Sequence, residues 1–273
     1  MTLLKDVTDC STYSVRGLDN QLIFCMNQIS PGLLVRIDDL DNLDLGKAVH
    51  PWMQCHAKEC LKQAIAFRGK TLIVNSAYRT IAGQQLLRFH YENDRCSITA
   101  AAPPGSSNHN NASAVDIEDA YGWKSAFEAC HWRKLGNFDP MHYDCIHPEI
   151  KSINSIAIKA FQRIWNQFRP NDRIAEDGDF GPVTASRLPY APAEGFPGVK
   201  PYRILCLTEP LQIGEDVGEL QLALRAASVT LTKADKVFGQ DTARAVKEFQ
   251  KKKGLFVDGV VGTVTRQALG LVS

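Results

Sequence analysis

No apolar run in the 273-residue chain approaches the ~20 residues that a membrane-spanning helix requires. The N-terminus, MTLLKDVTDCSTYSVRG, has neither the apolar stretch nor the small-residue cleavage site of a secretory signal. An excess of one charge is also missing, since 31 Lys and Arg against 30 Asp and Glu leave a formal +1. So balanced a chain gives no electrostatic case for nucleic acid or an anionic membrane as partner. There is no C-x-x-C pair, which argues against zinc-finger and thioredoxin-type sites. There is no H-E-x-x-H either, which excludes the helical zinc-protease arrangement. Hydrophobic residues at 44% and charged residues at 22% exclude a disordered reading. What remains is a soluble protein of about two domains, at roughly 150 residues each.

The eight cysteines (Cys10, Cys25, Cys55, Cys60, Cys96, Cys130, Cys145 and Cys206) are scattered over the chain. A chain of this length buries a core without staples, and eight cysteines allow about 105 pairings. Mostly free, buried thiols are therefore expected, acting as small core hydrophobes.

Residues 1 to about 50 mix short apolar runs with turn signals, and the acidic stretch Asp38 to Asp44 reads as a solvated loop. The spacing of Trp52, Met53, Leu61, Ala64, Ile65 and Phe67 predicts a helix over 50–68, capped by Gly69. TLIVNSAYR (71–79) predicts a buried strand that delivers Ser76, Tyr78 and Arg79 at its end. A helix from Ile81, a polar loop, a strand at ASAVDIED, a helix over 122–136 and a short strand at MHYDCI follow. Helices and strands out of βαβ rhythm predict an α+β domain over residues 1–150.

The second half repeats itself. Asp177, Gly181, Thr184, Leu188 share the pattern D-x3-G-x2-T-x3-apolar with Asp235, Gly239, Thr242, Val246 and with Asp258, Gly262, Thr265, Leu269. An apolar–Gln pair precedes each: Phe161–Gln162, Leu220–Gln221, Phe249–Gln250. The pair belongs to an amphipathic helix, Asp and Gly make a turn, and Thr is expected to cap or open the next helix. An all-α region over 151–273 results, with a half-module at 151–190, a Pro/Gly-rich linker at 191–210 and a module at 211–273.

The chemistry gathers around residues 107–142. A catalytic zinc typically takes three protein ligands from His, Asp or Glu, and His109, Asp116 and His142 supply such a set. Asp139, three residues before His142, can act as general base toward water. His50, His56, His90, His131 and His147 read as surface or structural residues, and Trp123 and Trp132 as core.

SAYRT, SNHNNASAVDIED and DPMH, in that order, resemble the zinc D-alanyl-D-alanine carboxypeptidase family of cell-wall peptidases. Its pattern is S-x-H-x-x-G-x-A-x-D followed by [ED]-x-x-H. The resemblance covers roughly residues 70–147 and implies a small antiparallel sheet and one zinc per chain. It implies zinc ligation by His109, Asp116 and His142 and catalysis by Asp139. It gives Arg79 a role in substrate contact and catalysis, and Gln84 and Ser107 roles in substrate binding. Ala112 stands where the family has glycine, which calls for a negative φ.

The repeats resemble peptidoglycan-binding modules, which implies peptidoglycan as partner and a place at the cell envelope or wall, reached without a signal peptide. The combined reading is a zinc peptidase acting on the peptide stem of peptidoglycan, foremost a D-Ala-D-Ala carboxypeptidase. An endopeptidase cutting inside the stem and a non-catalytic wall-binding protein stand as alternatives.

Overall fold

The computed structural model describes residues 1–30, 32–136, 139–197, 205–209, 211–255 and 257–271. Chain contacts divide it into two units, Met1–Lys200 and Pro201–Ser273. No helix among the described residues is long and apolar enough to cross a membrane.

The first unit runs α1 (Arg16–Ile29), β1 (Val35–Arg36), β2 (Leu43–Leu45), β3 (Trp52–Met53), α2 (Cys55–Arg68), β4 (Leu72–Ser76) and α3 (Ile81–Glu92). It continues with β5 (Ala114–Ile117), α4 (Ala120–Ala129), β6 (Trp132–Lys134), β7 (His142–Cys145), α5 (Asn154–Phe168) and α6 (Pro182–Arg187). Five strands form one sheet in the order β2-β4-β5-β7-β6. It is antiparallel except for the β2–β4 pair, so the expected small antiparallel sheet has one parallel edge.

Strand alternation separates a dry face from a polar one. Val115, Ile117, Tyr143 and Cys145 enter a core with α2 and α4 residues, among them Leu61, Ile65, Trp123 and Phe127. The intervening residues, Asp116, His142 and Asp144, therefore point to the other face. On β4 the register slips: Val74 pairs with Ile117 but Ser76 pairs with Asp116. This bulge turns Ser76 off the dry face its spacing from Leu72 and Val74 would dictate, toward Asp116.

A second core joins α1 and α3 to α5. Leu18, Leu22 and Met26 pack with Leu86, Phe161, Ile164 and Trp165. The expected boundary at residue 150 thus differs from the observed one at 200, because the 151–190 repeat shares a core with the first unit. Gln21 of α1 binds the chain beyond that repeat, donating to Phe196 O and accepting from its N–H. Of the expected linker, residues 198–204 and 210 lie outside the described residues.

Several local expectations change. Residues 1–50 contain the helix α1, and part of the acidic stretch forms β2. The helix expected over 50–68 begins at Cys55, while Gly69 caps it at φ 65 as expected. The helix expected over 122–136 ends at Ala129, and Trp132 is a buried strand residue. Cys10 and Cys96 form a disulfide; Cys25, Cys60, Cys130 and Cys145 are free and buried, and Cys55 is free and exposed.

The second unit holds α7 (Glu215–Ala226), α8 (Gln240–Lys252) and α9 (Thr263–Ala268) around Leu220, Leu224, Phe238, Val246, Phe249 and Val261. Each of the three repeats makes the same local hydrogen-bond pattern. Gln162, Gln221 and Gln250 donate from Nε2 to the repeat's Asp, to a backbone carbonyl two residues later and to its Thr hydroxyl. The threonines do not cap: Gly181, Gly239 and Gly262 occupy the N-cap positions. Each Thr is buried and completes the satisfaction of its glutamine, which an unpaired amide in a core would make costly.

Candidate metal centre

Antiparallel pairing places Asp116 of β5 directly opposite His142 of β7, so their side chains are neighbours on one face. His109 reaches them from the loop before β5. That loop is pinned to the end of β4: Arg79 N–H donates to His109 O, and Asn110 Nδ2 donates to Arg79 O. Ser107 Oγ accepts the His109 N–H at 3.3 Å, tightening the same turn. Ala112 completes it at φ 53, against the expectation of a negative φ. The turn demands the left-handed conformation that glycine adopts freely, and alanine holds it at a cost of about 1–2 kcal/mol. Its carbonyl is used, accepting the Gln54 N–H at 3.0 Å.

Three ligand atoms converge. His109 Nε2 lies 3.2 Å from His142 Nδ1 and 3.3 Å from Asp116 Oδ1, and His142 Nδ1 lies 3.1 Å from the same oxygen. Atoms bound at ~2.0–2.1 Å to a tetrahedral ion lie roughly 3.3 Å apart, so the triangle has the dimensions a zinc ion needs. Among the described residues this is the group of His, Cys, Asp and Glu whose spacing suits a metal.

The nitrogens facing away from the centre are held. His109 Nδ1 lies 2.7 Å from Ala77 O, and His142 Nε2 lies 2.9 Å from Asp144 Oδ1. Asn108 Nδ2 in turn donates to Asp144 at 2.8 Å. Such partners fix the tautomer that turns the opposite nitrogen toward a metal. Asp144 went unnoticed in the sequence, although its i+2 spacing from His142 on a strand was a usable signal.

Charge is distributed unevenly. Burial and the Arg79 guanidinium push the His109 pKa down, which keeps the ring neutral. Burial also opposes a charge on His142, but hydrogen bonds to Asp116 and Asp144 outweigh it and raise the value to about 9. For Asp116, burial is overcome by its two histidine partners, and the carboxyl sits well below the usual carboxylate range.

The remaining predicted residues surround this triangle. Asp139 is half-exposed, with Oδ2 3.9 Å from His142 Nδ1. Arg79 donates to Ser76 Oγ at 3.0 Å and to Gln84 Oε1 at 3.2 Å. Gln84 is buried, and its amide nitrogen is engaged by Ala102 O at 2.8 Å. It therefore stands behind Arg79. His90 is fully buried against Asp9 O, whereas near the surface His147 stacks on His56 and meets His131 edge-on.

Two histidines and one aspartate at these distances, with the Asp139 carboxylate beside them, could hold a metal ion. The D-alanyl-D-alanine carboxypeptidase family matches residues 49–134, and a peptidoglycan binding domain family matches residues 213–269. The chain carries both domains. The first match includes Arg79, Gln84, Ser107, His109 and Asp116 and ends before Asp139 and His142. Two spore cortex-lytic enzymes of Bacillus cereus are 48% identical over 56 residues, which is 20% of this chain. The chain spans about a fifth, 22%, of the length of these curated relatives.

Proposed function

We propose that the protein is a zinc peptidase that removes the terminal D-alanine from the peptide stems of peptidoglycan, held at the wall by its C-terminal unit. The convergence of His109, Asp116 and His142 to the edge lengths of a tetrahedral site, within a domain of this family, carries the reading. A zinc ion there supplies Lewis acidity to the scissile carbonyl and to the attacking water. Asp139, half-exposed with Oδ2 3.9 Å from His142 Nδ1, takes the proton from the attacking water and returns it to the departing amine. Arg79 receives the C-terminal carboxylate, for which a guanidinium offers two parallel N–H bonds. Gln84 and Ser76 orient that guanidinium, and Ser107 orders the turn that presents His109. Cutting within the stem is a second reading, favoured by the lytic function that the relatives' name gives them.

The test compares a peptide ending in D-Ala-D-Ala with its C-terminal amide. Amidation is expected to cost roughly 2–5 kcal/mol in kcat/KM, the range for removing one member of a buried charge pair. Arg79→Ala is expected to lose the distinction. Equal cleavage of both peptides would exclude the carboxypeptidase in favour of the endopeptidase, and no cleavage by zinc-loaded protein would leave the non-catalytic binder.

A further inference from the structure

The disulfide between Cys10 and Cys96 joins residues 86 positions apart. Cys10 is exposed and Cys96 half-buried, so a solvent thiol can reach the bond, whereas Cys25, Cys60, Cys130 and Cys145 are enclosed in the cores. Accessible disulfides are the labile ones.

The two ends of the bond differ. Cys10 is a fixed post: Val7 and Val15 on either side of it are core residues, and Asp9 O lies 2.9 Å from Nε2 of the buried His90. Cys96 belongs to an irregular strap that runs from the end of α3 toward the His109 loop. Among the described residues, none from Asp94 to Ala102 enters either core of the unit. Asp94, Cys96 and Ser97 hold φ values of 52, 61 and 53. Side chains other than glycine disfavour this left-handed region, so three such residues within four positions need a restraint from outside the strap. The disulfide supplies it.

The strap supports Arg79 from behind. Ala101 O accepts an N–H of Arg88, and Ala102 O accepts Gln84 Nε2, both at 2.8 Å. Gln84 Oε1 in turn accepts from Arg79 at 3.2 Å. Gln84 is buried, so an amide nitrogen deprived of Ala102 O must turn to find another partner, and that turn takes Oε1 away from Arg79. The backbone around His109 is pinned separately, by Arg79 N–H to His109 O and by Asn110 to Arg79 O.

We propose that the Cys10–Cys96 disulfide is a redox-modification site for low-molecular-weight thiols, whose reduction frees the strap and loosens Arg79 through Gln84 while leaving the metal ligands in place. Two thiols act in turn. The first, as thiolate, attacks one sulfur, breaks the S–S bond and forms a mixed disulfide, and the released cysteine takes up a proton. The second displaces the remaining cysteine, which is protonated in its turn. The products are two cysteine thiols and one disulfide of the reductant, so the two electrons gained by the protein are those lost by the two thiols. Gln84 is the positioning residue through which the change reaches Arg79. The part given to Arg79 rests on the carboxypeptidase reading; the opening of the strap does not.

The experiment compares three forms of the zinc-loaded full chain: oxidised wild type, wild type reduced with excess glutathione, and Cys10→Ser/Cys96→Ser, which needs no added thiol to compete for the metal. Thiol titration after denaturation is expected to count the six free cysteines in the oxidised form and all eight after reduction. In the reduced and variant forms, amide exchange over residues 95–102 is expected to quicken about tenfold or more, with β5 and β7 unchanged. The ¹⁵N resonances of the Arg79 guanidinium are expected to shift in the same two forms. KM for acetyl-D-Ala-D-Ala is expected to rise about threefold to tenfold, the effect of one lost hydrogen bond, with kcat and the KM of the C-terminal amide unchanged. Eight thiols in air-oxidised protein, equal strap exchange in all three forms, or unmoved Arg79 resonances would overturn the proposal. So would an equal rise in KM for acid and amide where the oxidised protein prefers the acid. Oxidised protein that cleaves acid and amide alike, or neither, would refute the carboxypeptidase reading, and the exchange and the Arg79 resonances would then decide the redox site by themselves.

Discussion

His142 and Asp144 lie two residues apart on β7, point to the same face of the sheet and meet at 2.9 Å between Nε2 and Oδ1. The contact turns His142 Nδ1 toward Asp116 and His109, so a residue outside the candidate metal site helps to set its shape. Asp144→Asn is expected to weaken zinc affinity about 10–100-fold with the fold intact, the usual effect of losing such an outer partner. Competition titration with a chromogenic chelator reads this directly. Unchanged affinity would remove Asp144 from the account.

Zinc uptake is expected to release about one proton near neutral pH. Metal ligands must be deprotonated. Without metal His142 holds its proton up to about pH 9, because its two carboxylate partners outweigh burial, while His109 is kept neutral. Calorimetry in buffers of different ionisation enthalpy counts the proton, and apparent affinity should rise with pH until about 9. The same shift sets a stability trend. The folded value lies above the ~6.5 of an unfolded histidine, so the stabilisation of metal-free protein is complete below about pH 6.5 and is lost as pH rises through 9. The melting temperatures of loaded and metal-free protein should therefore diverge over that window. Convergence would contradict the assignment of the proton.

Truncation separates the two possible domain boundaries. Ending the chain at residue 150 removes Ile153, Ala157, Phe161, Ile164 and Trp165 from the core they share with α1. Each large apolar side chain is worth about 1.5–3 kcal/mol when buried, against a total stability of roughly 5–15 kcal/mol for a domain. Residues 1–150 are expected to be insoluble or without a cooperative melt, while residues 1–197 fold and residues 205–273 fold separately around their own core. A cooperative melt of 1–150 matching that of 1–197 would restore the boundary at 150.

The convergence of His109, Asp116 and His142 was legible through the ordered motifs that resemble the carboxypeptidase family, and each residue falls on a strand or a loop that the local pattern predicts. The helix α1 was not legible. Its buried positions include Asp19, Gln21 and Asn27, polar residues satisfied by partners far along the chain, such as Phe196 and His50. A polar residue buried for tertiary reasons erases the periodicity on which a local reading depends. The same limit hid the attachment of the first repeat, whose Gln162–Asp177–Thr184 network is local while the face of α5 that meets α1 is not. Ala112 shows the converse: the turn geometry overrode the residue's own preference.

Digestion of purified peptidoglycan followed by mass analysis of the released products tests the central claim most directly. Zinc-loaded protein is expected to shorten pentapeptide stems by one D-alanine, to stop when zinc is chelated, and to lose about 10²–10⁴ in rate in Asp139→Asn at full zinc content. Products cut within the stem, or an unchanged rate in the chelated protein or in Asp139→Asn, would contradict it.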